Sequence, residues 1–223
     1  MTGLHTMLLG IPWMDPNWLL DHFGSEFVLV SLIIIFVECG LLFPFLPGDT
    51  LLVSIGLFVA TDKLDLTQGP NVVGLLVGIL MFTVAAFLGN VVGYEIGRAI
   101  GAPVRRHDGK IIKKAYIDRT VEFFEKHGSS ALVIGRFVPF VRTYVTLVAG
   151  VSEMPRVKFW LWSLIGAVLW VGSIMSLGYF LGNTFPAIAK NIDLLILGLL
   201  AVSVIPVAYE WWKHRREQAE TAS

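Results

Sequence analysis

Along this chain the apolar positions collect into five blocks, at about 26 to 60, 70 to 101, 128 to 151, 157 to 182 and 191 to 212, with the polar positions gathered between them. A helix crossing a hydrocarbon core of about 30 Å takes about 20 residues at 1.5 Å each. Three blocks carry runs of that length without a break: Val72 to Ile100, Phe159 to Leu181 and Ile192 to Trp212. The other two are interrupted. Glu38, Pro44, Pro47, Gly48 and Asp49 break the first, and Arg136, Pro139 and Arg142 break the third. Residues 128 to 151 are too few for two full crossings, which take about 40. A helix that enters, breaks and returns fits that length.

The basic residues orient these segments. The connection from Arg98 to His127 carries Arg98, Arg105, Arg106, Lys110, Lys113, Lys114, Arg119 and Lys126, and the tail, residues 213 to 223, carries Lys213, Arg215 and Arg216. By the positive-inside bias both belong on the cytoplasmic side. Counting back from the tail through the last two spans places Arg156 and Lys158 inside as well. Residues 128 to 151 then start and finish on one face, as a re-entrant hairpin. Residue 71 falls outside, and the first 25 residues, which hold no Lys or Arg, suit the outside too. The block at 26 to 60 becomes a second hairpin entering from the opposite face. The predicted fold is an all-α polytopic membrane protein: three transmembrane helices (70 to 101, 157 to 182, 191 to 212), two oppositely oriented re-entrant helical hairpins forming an inverted repeat, and interfacial amphipathic helices. One membrane domain covers residues 26 to 212, between an N-terminal interfacial segment (1 to 25) and the cytoplasmic tail.

Smaller signals fill in this plan. Phe43-Pro-Phe-Leu followed by Leu52-Val-Ser-Ile-Gly resembles Val138-Pro-Phe-Val followed by Leu147-Val-Ala-Gly, a short internal match of the kind broken-helix repeats produce in transporters. Lys114, Asp118, Glu122 and Lys126 recur every four residues opposite Ile112, Tyr116, Ile117, Val121, Phe123 and Phe124. That pattern predicts an amphipathic helix at about 110 to 127 on the cytoplasmic surface. Trp13, Trp18 and Leu19 near Pro16 suit an outer-face anchor, and Trp211-Trp212 before Lys213 reads as an aromatic belt. Gly89, Gly93, Gly97 and Gly101, spaced by four, make a face where another backbone can approach closely. Such a face is a packing signal, and it permits a homo-oligomer without requiring one. Asn90, Tyr94 and Glu95 on the same helix are secondary polar candidates, with Glu95 expected to pair with Arg98.

Composition narrows the function classes. Hydrophobic residues make up 55% of the 223 and charged residues 15%, below the roughly 25% usual in soluble domains, which favours a membrane solvent. The 17 basic residues balance the 17 acidic ones, so the basic surplus of a nucleic-acid binder is missing. Cys39 is the lone cysteine, with no disulfide partner and no assigned role. The sequence holds no His-Glu-x-x-His zinc motif, no Gly-x-Ser-x-Gly elbow and no Walker loop, and the five histidines fall outside the apolar breaks. Neither an enzyme nor a metal or organic cofactor is expected.

Glu38, Asp49, Arg136 and Arg142 remain, all at the breaks. On insertion scales a charge costs about 2.5 to 3.5 kcal/mol at the bilayer centre, so these four must be paired, hydrated or set in a cavity. One account is two buried salt bridges locking the hairpins together. The other gives the two signs separate work. Guanidinium groups stay protonated and bind phosphate oxygens through a fixed fork, making Arg136 and Arg142 candidate headgroup ligands. Carboxylates taken out of water exchange protons near neutral pH, making Glu38 and Asp49 candidates for proton coupling.

Three runs carry a family likeness: Glu38-Cys-Gly-Leu-Leu-Phe-Pro-Phe-Leu-Pro-Gly-Asp49, Gly89-Asn-x-x-Gly-Tyr-x-x-Gly-Arg98, and Gly135-Arg-Phe-x-Pro-x-x-Arg142 followed by Ala149-Gly150 and Met154. In this order they resemble the signatures of the DedA (SNARE-associated, or VTT-domain) membrane proteins, over roughly residues 25 to 185. The resemblance implies a bacterial inner-membrane protein with two opposed re-entrant hairpins, related to eukaryotic lipid scramblases. It also implies links to proton-motive force, envelope integrity and recycling of undecaprenyl phosphate. The acidic and arginine positions essential in that family map to Glu38, Asp49, Arg136 and Arg142. Many relatives carry Glu where this chain has Asp49. The expectation is a proton-linked flippase for undecaprenyl phosphate or another anionic-headgroup phospholipid. A proton-coupled small-solute or cation antiporter and a non-transporting membrane assembly factor are the alternatives.

Overall fold

The computed structural model describes residues 15–41, 47–104 and 126–184. The expected span at 191 to 212, the tail, Pro44 and nearly all of the amphipathic helix at 110 to 127 lie outside the described residues. Within them the chain is entirely helical between turns, with no strand.

Helix α1 (Pro16–Phe23) starts with proline at a position whose N–H has no helical partner, and the Asp15 carboxylate caps it by accepting from the Asn17 N–H at 2.8 Å. It ends at Gly24, whose φ of 49° turns the chain. A 3-10 turn (Gly24–Glu26) leads into α2 (Phe27–Leu41), and α3 is Gly48–Ala60. Then come α4 (Asn71–Val104), α5 (Ala131–Ile134) between the 3-10 turns Gly128–Ser130 and Gly135–Phe137, α6 (Pro139–Val151) and α7 (Arg156–Thr184). Three segments are long and apolar enough to cross a membrane: Pro16–Leu41, Asn71–Ile100 and Arg156–Thr184. The last two match the expected spans. The first differs, because the boundary expected at residue 25 is only the Gly24–Glu26 turn, and α1 and α2 follow one another directly.

Helix α3 is buried from Leu51 to Ala60 on every side, as an all-round apolar sequence requires. Its 13 residues span about 20 Å, short of a hydrocarbon core. Around it the long helices α4 and α7 run antiparallel. Tyr94 stacks on Phe159 at one end, and Gly78 faces Met175 toward the other. The shorter helices distribute over this pair in a regular way: α2 and α6 pack on α4, and α3 and α5 pack on α7. Register contacts fix their directions. Gly89 meets Phe36 and Gly93 meets Gly40, so α2 runs with α4. Gly93 meets Thr146 and Gly150 packs across the turn from Tyr94 to Arg98, so α6 also runs with α4. Asp49 meets Trp170 and Ala60 meets Gly182, so α3 runs with α7.

Glycines make these contacts possible. A Cβ at Gly56 would fall on the Met175 carbonyl oxygen, and one at Gly178 on that of Val53, so α3 and α7 touch backbone to backbone. Gly97 and Gly150 do the same for α4 and α6. The glycine face on α4 therefore packs against α2 and α6, in line with the packing reading of its spacing.

Candidate functional site

Both helix breaks deliver charge to one place. Glu38 lies one turn before the end of α2, and Asp49 in the first turn of α3. Across from them Val138 is extended, with φ −107° and ψ 112°, and Pro139 opens α6 with Arg142 closing its first turn. A cation there sits at the positive end of a helix dipole, so it requires anions brought by other elements. Two arrive. Arg142 Nη2 donates to Glu38 Oε1 at 2.5 Å and Nη1 donates to Asp49 Oδ2 at 2.6 Å. The guanidinium fork thus joins α6 to both α2 and α3.

Burial differs within this trio. The Glu38 side chain is 6% exposed, Arg142 21% and Asp49 37%, so the site opens on the Asp49 side. Glu38 Oε2 rests against Gly48, where any Cβ would collide with it. Only glycine lets the start of α3 come this close to the carboxylate, and the amino-terminal end of that helix favours the negative charge. Among the described residues Oε2 has no hydrogen-bond partner.

Trp170 completes the cluster from α7. Its indole N–H donates to Asp49 Oδ1 at 3.0 Å, and Arg142 Cζ lies 5.3 Å from the ring centroid, within cation–π range. Trp170 is the central residue of α7, equally far from Arg156 and Thr184. The cluster therefore sits midway along that span. The sequence reading missed this residue. Its signal was position, since tryptophan in a span usually marks the membrane interfaces, and one at the midpoint calls for a different reason.

Arg136 departs from the salt-bridge account of the four charges. It is 5% exposed, its stem crosses Gly166 of α7, and Cys39 lies beside it. Among the described residues no carboxylate pairs with it, and its Nε has no hydrogen-bond partner. Among the described residues, then, one arginine is shared by two acids and a second buried arginine has none, an arrangement other than two separate bridges.

The secondary candidates go elsewhere. The Tyr94 hydroxyl donates to the Met154 carbonyl and accepts from Arg98 Nη1, the latter at 2.8 Å. Glu95 accepts from Arg156 Nε at 2.8 Å and Nη2 at 3.1 Å, so its partner is Arg156, not the expected Arg98. Arg98 is drawn to Tyr94 one turn behind it, and the Arg156 fork meets the carboxylate with two bonds. Tyr94 and Glu95 thus tie the last third of α4 to the α6–α7 connection and to the start of α7. Asn90 is buried, and its Nδ2 has no partner among the described residues. Pro47 and Gly48 bound the break before α3 as expected.

Three long apolar helices around charges buried at helix breaks define a polytopic membrane protein. Comparison with known proteins narrows the class. The family model for the VTT domain matches residues 43–180. The chain is 37% identical over 206 residues to Protein DedA of Escherichia coli strain K12, covering 92% of this chain and 90% of that protein. It is 35% identical over 228 residues to the uncharacterized membrane protein ML0287 of Mycobacterium leprae, covering 98% and 96%. To the inner membrane protein YqjA of E. coli K12 it is 37% identical over 182 residues, covering 81% and 78%. No solved structure matches the chain. The chain belongs to the VTT-domain family, among the DedA membrane proteins.

Proposed function

We propose that the protein is a proton-linked flippase of the cytoplasmic membrane that carries a lipid with an anionic phosphate headgroup, undecaprenyl phosphate or another phospholipid. The observation that carries this reading is the Arg142 guanidinium held by two carboxylates halfway along α7, with Asp49 on the open side. A phosphate offers the fork the same two-oxygen geometry a carboxylate does. Protonation of Asp49 or Glu38 weakens their hold, and a headgroup then takes their place on Arg142, with Arg136 as second ligand. In this reading α2–α3 and α5–α6 are re-entrant hairpins entering from opposite faces as an inverted repeat, the N-terminus outside and the C-terminus cytoplasmic. No covalent chemistry and no cofactor beyond the coupling proton is involved. The partners are the lipid substrate and the bilayer; the glycine faces are taken up by packing within the chain, so a homo-oligomer would use other surfaces.

The test is movement of labelled undecaprenyl phosphate in proteoliposomes. Wild type moves lipid faster than protein-free vesicles and responds to a pH gradient, and Arg142→Ala falls to background while still folded. Wild-type rates equal to protein-free vesicles, with and without the gradient, defeat the reading. The convergence of two acids on one site favours a second reading, proton-coupled antiport of a small solute or cation. That reading expects proton flux without lipid movement.

A further inference from the structure

Among the described residues, Trp170 touches both signs of the charged cluster. Its N–H holds Asp49 Oδ1, leaving Oδ2 for Arg142, so two donors grip one carboxylate through separate oxygens. Its ring meanwhile lies against the guanidinium. The indole is 2% exposed and belongs to the apolar core.

An anion that takes Arg142 must push Asp49 off it. A carboxylate pushed off its cation gives up a charge-assisted bond, and Asp49, at 37% exposure, is hydrated on one side only and keeps a protein partner only if another donor stays with it. We propose that Trp170 is the positioning residue of this exchange: its N–H retains Asp49 while a lipid phosphate occupies Arg142, and its ring keeps the guanidinium in place. The inference rests on the lipid-phosphate reading above. It has a definite sign. Without the N–H both states lose that bond, but the resting state keeps Arg142 on Asp49 while the displaced state is left with no donor, so the displaced state loses more. Phosphate binding weakens, and turnover at saturation does not.

Two measurements on the full chain test it. In proteoliposomes with increasing undecaprenyl phosphate, Trp170→Phe keeps a ring but no donor, and its half-saturating mole fraction rises about tenfold. Its saturated rate stays within about twofold of wild type, whereas a packing defect lowers the rate itself. The second measurement uses protein labelled with 5-fluorotryptophan in phosphatidylcholine nanodiscs, with the Trp170 resonance assigned by its absence in Trp170→Phe. That resonance shifts in Asp49→Asn and on adding undecaprenyl phosphate, and stays put on adding uncharged polyprenol. Wild-type half-saturation in Trp170→Phe, or a resonance blind to Asp49→Asn, overturns the proposal. If wild type moves no lipid, the transport reading alone fails, and the fluorine spectra still decide whether Trp170 holds Asp49.

Discussion

The chain builds two arginine–carboxylate contacts that share chemistry and differ in setting. In the last third of α4, Glu95 meets Arg156 with two well-formed bonds, and both side chains are about half exposed, at 42% and 51%. Midway along α7, Arg142 gives one bond to each of two acids, and Glu38 is nearly sealed at 6% exposure. By geometry alone the first is the better pair. By energetics the second matters more, because an exposed pair competes with water and salt while a buried one cannot be opened without stranding charge. Surroundings, more than fit, separate a tether from a working site.

Substitutions sharpen that contrast, starting with the largest effect. Arg142→Ala strands the sealed Glu38 carboxylate and leaves Asp49 only the Trp170 N–H, and is expected to lose lipid movement and about 3–5 kcal/mol of stability, read by unfolding titration in detergent. A variant as stable as wild type would show that the cluster bears no burial cost and break the comparison. Glu38→Gln, which exchanges a charged acceptor for a neutral one in the sealed position, is expected to cost about 2 kcal/mol. Asp49→Asn, on the open side, is expected to cost less than about half as much, because water screens what the carboxylate loses. Equal losses would mean the site is sealed on both sides. Tyr94→Phe removes the hydroxyl tie to Met154 and Arg98 and should cost about 1 kcal/mol with transport retained. Arg156→Ala should change neither melting temperature nor transport measurably, since its pair with Glu95 is open to solvent.

Much of this arrangement was readable before any coordinates. The two long spans follow from run length, the breaks from proline, glycine and charge inside apolar blocks, and the backbone contacts from glycines spaced by four. That Glu38, Asp49 and Arg142 need partners, water or a cavity follows from the cost of leaving them alone in lipid; that these three meet does not. What escaped depends on direction in space. Nothing in the order of residues tells Arg98 from Arg156 as the partner of Glu95, because that choice depends on how α7 leaves α6. Arg136 and Arg142 look equivalent in sequence, yet only one faces the acids. Trp170 was hidden for the same reason, since its role lies across 121 positions from Asp49.

Helix α3 packs along α7, a segment made long after it. At a synthesis rate of about 5–20 residues per second, the 121 positions between Asp49 and Trp170 take roughly 6 to 25 seconds to emerge. Through that interval α3 is in the membrane without the surface it is shaped to fit. The first half of the fold therefore cannot be completed before the second half has been made.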